Sequence, residues 1–145
     1  MEKPRGRRKP LVRKVKVLVA VSPPGLFQVI QYLFSGRPEF EIVGSPRNAR
    51  GMARHSLQSQ PELILVNVKP LGTGVCETVR SLKRLHPASK LILICSVREF
   101  ALDARRCGAD ACLDAEALVG LLLQTAQRLA LAHQAELLPP EKEST

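Results

Sequence analysis

Five short apolar runs, each separated from the next by a stretch of more mixed sequence, constrain this chain more than any other feature. Residues 15–21 (VKVLVAV) are β-branched and almost continuously apolar, the pattern of a strand buried on both faces. Residues 63–68 (LILVNV) and 91–95 (LILIC) repeat that pattern. Residues 40–43 form a shorter run, and 111–113 a very short fifth. Helices are predicted at 25–35, 47–58, 73–85, 98–107 and 116–135. Pro24 and Gly25 mark the first helix entry, Gly36 and Pro38 its exit, and Pro61 and Pro87 the stops before strands three and four. Arg84, His86, Arg105 and Arg106 fall where a cation suits the negative end of a helix.

Strands alternating with helices predict an α/β protein with an open parallel sheet covered on both faces. Right-handed crossovers leave few topologies. The expected architecture is a flavodoxin-like (βα)5 three-layer sandwich with strand order 2-1-3-4-5, because the second strand has the short, polar character of an edge. At 145 residues the chain holds one domain. We expect a basic arm at 1–14, the domain at 15–135 and a loose Pro-rich tail at 136–145.

Charge is unevenly placed. Of the net +9, residues 1–16 hold eight basic groups against the single acidic Glu2, which leaves a surplus of only two for the rest. Arg5, Arg7, Arg8, Lys9, Arg13 and Lys14 suit contact with nucleic acid or an acidic partner; a solvated leader is the other reading. No apolar run approaches the roughly 18 residues of a membrane span, and no secretory signal follows the arm. The expectation is a soluble, cytoplasmic protein whose four cysteines, lacking a CxxC pair, are reduced thiols.

In a sheet of this type ligands bind beyond the carboxyl ends of the strands. That rule selects Val21, Ser22 and Pro23, then Asn67 to Lys69, then Cys95 and Ser96, then Asp114 and Ala115. The pieces VKVLVAVSPP, EFEIVGSPRNARGMA, QPELILVNVKPLG, LKRLHPASKLILIC and GADACL resemble the receiver domain of bacterial response regulators (CheY-like, two-component family). The resemblance implies a receiver fold and a place in two-component or phosphorelay signal transduction. Its functional positions depart from the family pattern. The paired acidic residues expected after strand one fall on Val21 and Ser22, and the phosphoacceptor aspartate falls on Asn67. The switch Thr or Ser falls on Cys95, and the lysine after strand five on Asp114 or Ala115.

Acyl-phosphate formation needs a carboxylate nucleophile, and Mg²⁺ needs hard anionic oxygens. Val21, Ser22 and Asn67 supply neither. The expectation is a degenerate pseudo-receiver with no catalytic residue, metal, cofactor or small-molecule substrate. It would act through protein–protein contact and not through phosphorylation.

Other motifs give less. Gly72-Thr73-Gly74 lacks the third glycine of a dinucleotide loop. A Cys95, Cys107 and Cys112 zinc site has no histidine at ligand spacing. Ser22 has no nucleophile elbow. His55, His86 and His133 read as surface residues.

The last helix carries two apolar stripes, Leu118, Leu122, Thr125, Leu129 and Ala132, and beside it Val119, Leu123, Ala126 and Ala130. One stripe serves the sheet. The surplus marks a partner surface for a signalling protein or a second copy, assigned here to Leu118, Leu122, Thr125 and Leu129; a wide buried face is the competing reading. In the resembled family this side is where dimers and targets dock. The alternative function is a nucleic-acid-associated regulator that uses the basic arm.

Overall fold

The computed structural model describes residues 14–46, 49–67, 75–95 and 108–137. Five strands appear where the apolar runs predict them: β1 (Val15–Ala20), β2 (Phe40–Gly44), β3 (Leu63–Asn67), β4 (Lys90–Cys95) and β5 (Ala111–Asp114). All neighbouring pairs are parallel, and the order is β2-β1-β3-β4-β5. The flavodoxin-like expectation therefore holds, with β2 at an edge. Helices α1 (Pro24–Ser35), α2 (Ala49–Ser59), α3 (Val75–Leu85) and α4 (Leu118–Leu137) cover the sheet, α4 entered through a 3-10 turn at Ala115–Ala117. The helix expected at 98–107 lies outside the described residues, as do Arg5, Arg7, Arg8, Lys9 and Arg13 of the arm, the loop with Gly72, and Cys107.

Strand alternation divides the core in two, because successive side chains point to opposite faces. Val17 and Val19, Leu63 and Leu65, Ile92 and Ile94 pack with Ile30 and Phe34 of α1 and with Leu118, Leu122, Ala126 and Leu129 of α4. Leu18, Ile64, Val66, Leu91, Leu93 and Cys95 face the other way, onto Met52 of α2 and Val79 and Leu82 of α3. Each fully buried Leu or Ile contributes about 1.5–3 kcal/mol of transfer free energy, so both layers are needed to hold the sheet.

Gly44 ends β2 where the β1–β2 register slips. A Cβ there would sit 2.6 Å from Nε2 of His55. Only glycine lets this imidazole lie against the edge strand, so half-buried His55 packs on the fold.

At the amino ends of the strands a polar cluster anchors α4. Nδ1 of His133 donates to the Ala88 carbonyl at 2.7 Å, and its Nε2 is 3.5 Å from Oε2 of Glu62. Oε1 of Glu62 accepts from the Lys16 amide at 2.9 Å. The Lys90 ammonium meets Glu136 at 2.7 Å, so the helix continues two residues past the boundary predicted at 135. Nε2 of His86 lies 3.0 Å from the Ser56 hydroxyl, and Ser89 donates to the Pro61 carbonyl at 2.6 Å. His86 and His133 are buried, which corrects their reading as surface residues. The loops entering β3 and β4 fold over them, an arrangement that helix periodicity does not report.

Candidate functional site

The carboxyl ends of β1 and β3 meet through one side chain. Asn67 closes β3 and is buried. Its Nδ2 donates to the Ser22 carbonyl at 2.6 Å, and its Oδ1 accepts from the Ser22 amide at 3.3 Å. Both ends of the amide are therefore spent on the main chain of the residue after β1. A carboxylate could accept from the amide but not donate to the carbonyl, so this geometry specifies asparagine.

Cys95 ends β4 opposite Asp114 on β5. Its side chain joins the apolar layer under α2 and α3 and is buried. Its Sγ lies 3.0 Å from Sγ of Cys112. Burial first, then the interaction with the Cys112 thiol and the nearby charge of Asp114, push the Cys95 thiol up to about 12. A thiol held neutral in this way is a packing group and a poor nucleophile. Cys95 and Cys112 are free thiols, whereas Cys76 is disulfide-bonded, against the expectation of four reduced cysteines.

Asp114 is exposed and turns back on its own chain, Oδ1 accepting from the Glu116 amide at 2.9 Å to cap the 3-10 turn. The one carboxylate among the predicted site residues thus serves a local cap, where its charge suits the amino end of a helical turn. Ala115 packs on the apolar layer under α4. Among the described residues, no group of three or more His, Cys, Asp or Glu side chains is arranged to hold a metal ion.

A cavity of about 450 Å³ opens beside this point, lined by Val21, Ser22, Pro24, Phe27, Gln28, Ser45 and Pro46. None of these side chains is charged. Val21 and Ser22 were predicted from their place after β1. Gln28, Ser45 and Pro46 come from the next helix and the neighbouring strand end, which only the strand order brings alongside.

The stripe assigned to a partner is corrected. Leu118, Leu122, Thr125 and Leu129 are 1%, 0%, 7% and 5% exposed and belong to the sheet-facing core. The outward apolar residues of α4 are Val119, Leu121 and Leu131 instead. Of the two stripes the sheet takes the first together with Ala126 and Ala130 of the second, because a helix laid flat on a sheet buries a broad face.

No protein-family model matches this chain. No curated protein matches it. Solved structures match it in fold. A two-component response regulator of the LuxR family from Aurantimonas sp. superposes with a TM-score of 0.74 at 17% identity, over 82% of this chain and 86% of that one. The signal receiver domain of the putative response regulator NarL from Mycobacterium tuberculosis gives 0.73 at 15% identity, over 82% and 98%. A chain in the structure of the P1 domain of CheA3 in complex with CheY6 from R. sphaeroides gives 0.68 at 21% identity, over 83% and 98%. The fold is that of response-regulator receiver domains. No described helix is long and apolar enough to cross a membrane.

Proposed function

We propose that this chain is a receiver-fold signalling module of the two-component type that works in the cytoplasm by binding a protein partner, takes up no phosphoryl group and catalyses no reaction. One observation carries the reading: the Asn67 amide is engaged at both ends by the Ser22 main chain, at the point where a receiver needs a free carboxylate. Val21 and Ser22 add no anionic oxygen, and Asp114 is committed to its cap. Mg²⁺ takes oxygen ligands in near-octahedral geometry, commonly with one or two carboxylates. Phosphoryl transfer is catalysed by positioned cations, and the position of the usual lysine is Asp114 or Ala115. A protein partner is in keeping with the fold, since one structural neighbour is a chain in a complex of CheA3 P1 with CheY6.

The test is labelling with radioactive acetyl phosphate in the presence of Mg²⁺. The wild-type chain stays unlabelled, and so does Asn67→Asp, because the metal ligands are still missing. Label on the wild-type chain that is lost in Asn67→Ala refutes the reading. So does Mg²⁺-dependent label gained by Asn67→Asp alone.

A further inference from the structure

Among the described residues, the two helical layers differ in charge. Helix α1 carries no charged side chain, and α4 carries only Arg128 and Glu136 besides His133. On the other face, α2 holds Arg50 and Arg54 with no acidic residue, and α3 holds Arg80, Lys83 and Arg84 against Glu77. Lys83 is occupied, its ammonium 2.8 Å from Asp110 and 2.6 Å from the Ser89 carbonyl. The four arginines are exposed, and their i, i+4 spacing puts each pair one helical turn apart on its helix.

The same face carries apolar side chains. Leu57 is 55% exposed and Leu85 44%. Arg50, Arg54 and Leu57 share one stripe at i, i+4 and i+7, and it points outward because Met52 and Ser56 are the buried residues of α2. Lys83 reaches toward Asp110 on the β5 side, so Leu85, about 200° further round, lies on the flank of α3 that faces α2. Beside the last turns of both helices lies a mostly polar cavity of about 390 Å³, to which Lys16, Glu62, His86 and His133 contribute as well as Leu85.

We infer that the α2–α3 face is a docking surface for an acidic amphipathic segment of a protein partner. Apolar side chains of that segment cover Leu57 and Leu85, while its carboxylates meet Arg54 and Arg84. This rests on the binding-module reading above and supplies the chemistry of its partner. Carboxylates at i, i+4 on a docked helix repeat at about 6 Å, the spacing of the arginine pairs. Arginine is suited to such contacts because its planar fork binds carboxylate bidentately. A nucleic acid duplex offers phosphates to the arginines but nothing apolar to the two leucines, so the leucines decide between the two classes of partner.

The experiment uses the full isotope-labelled chain and three probes. These are a synthetic helical peptide with leucines at i, i+3, i+4 and i+7 among glutamates, its sister with every Leu replaced by Ser, and a short DNA duplex. Amide shift changes on adding the Glu–Leu peptide cluster on α2 and α3. Arg54→Glu/Arg84→Glu, and separately Leu57→Ser/Leu85→Ser, each weaken binding by about tenfold or more, as does the leucine-free peptide. All four substituted positions are exposed, and thermal melts verify that the variants fold. The inference is overturned if the shifts map to α1 and α4, or if the leucine changes leave the affinity unaltered. It is also overturned if the duplex binds more tightly than the peptide, or if the peptide fails to saturate by about 1 mM. Each of these failures leaves the phosphoryl labelling result untouched, so the two readings fail separately.

Discussion

Asn67→Asp is the substitution that puts back a receiver's carboxylate, and the structure predicts that the fold resists it. In the native chain Nδ2 donates to the Ser22 carbonyl at 2.6 Å. An ionised carboxylate puts a second acceptor there, with two oxygens facing at hydrogen-bond distance in a buried position. The lost bond and the buried, unmatched acceptors cost about 2–3 kcal/mol. For a chain of this length that is a fall in Tm of roughly 5–10 °C.

The penalty depends on pH. The protonated carboxyl can donate to the Ser22 carbonyl, so folding favours the neutral form and raises the pKa of the introduced carboxyl above its unfolded value of about 3.9. A penalty of about 2–3 kcal/mol corresponds to a clear upward shift, at about 1.36 kcal/mol per unit. The stability given by the protonated form is fully present below the unfolded pKa and lost as pH rises through the folded one. Asn67→Ala loses both bonds to Ser22 but adds no repulsion, about 1–2 kcal/mol at any pH in this range. Urea denaturation at pH 7 and pH 4 should therefore reverse the order of the two variants: Asn67→Asp is the less stable at pH 7 and the more stable at pH 4. If Asn67→Asp matches the wild type at pH 7, or if its deficit does not shrink in acid, the Ser22–Asn67 account is wrong.

Three further outcomes follow from the packing. His86 has its pKa lowered from 6.5 by burial, so its contribution to stability is whole above 6.5 and is lost as pH falls through the folded value; in urea melts His86→Gln should show a shallower acid decline than the wild type. Gly44→Ala puts a Cβ within 2.6 Å of the outer end of the His55 ring and should destabilise by about 0.5–1.5 kcal/mol as the ring turns aside; a double-mutant cycle with His55→Ala should recover most of that, and strict additivity would refute the contact. Leu122, wholly buried under α4, should cost about 2–5 kcal/mol as Ala and abolish the cooperative thermal transition as Glu; a folded Leu122→Glu chain would mean that α4 is not seated as described.

The sheet was legible because both faces of β1, β3 and β4 are buried, and near-continuous apolar runs of that kind have few other uses. Its order was legible because β2, among the first four strands, has the short and polar character of an edge. Side-chain assignments on helices fared differently. Periodicity identified two apolar stripes on the last helix, but not that the sheet takes Leu118, Leu122, Thr125 and Leu129 along with Ala126 and Ala130. His86 and His133 were misread for a related reason, since their burial is created by loops before β3 and β4 that carry no periodic signal. Asn67 was placed by its position at the end of β3. That its amide grips Ser22 at both ends depends on a contact between residues 45 positions apart.

The arginine–leucine face was missed because charge was counted along the chain and not by layer. Outside the first 16 residues the surplus of only two basic groups reads as a neutral domain. The strand order, however, puts α2 and α3 on one side and α1 and α4 on the other. Only then do the described helices resolve into a basic pair, α2 and α3, and a nearly uncharged pair, α1 and α4. Such a separation has a physical consequence for recognition. An acidic partner of the proposed kind would be attracted more strongly to the α2–α3 face than to the other, so orientation would be selected before close contact forms. In a receiver-fold chain whose strand ends are tied together by an amide, the proposed recognition would need no phosphoryl switch. Its strength would follow the partner's charge and the ionic strength, falling by the same factor for the wild type and Asn67→Ala as salt is raised.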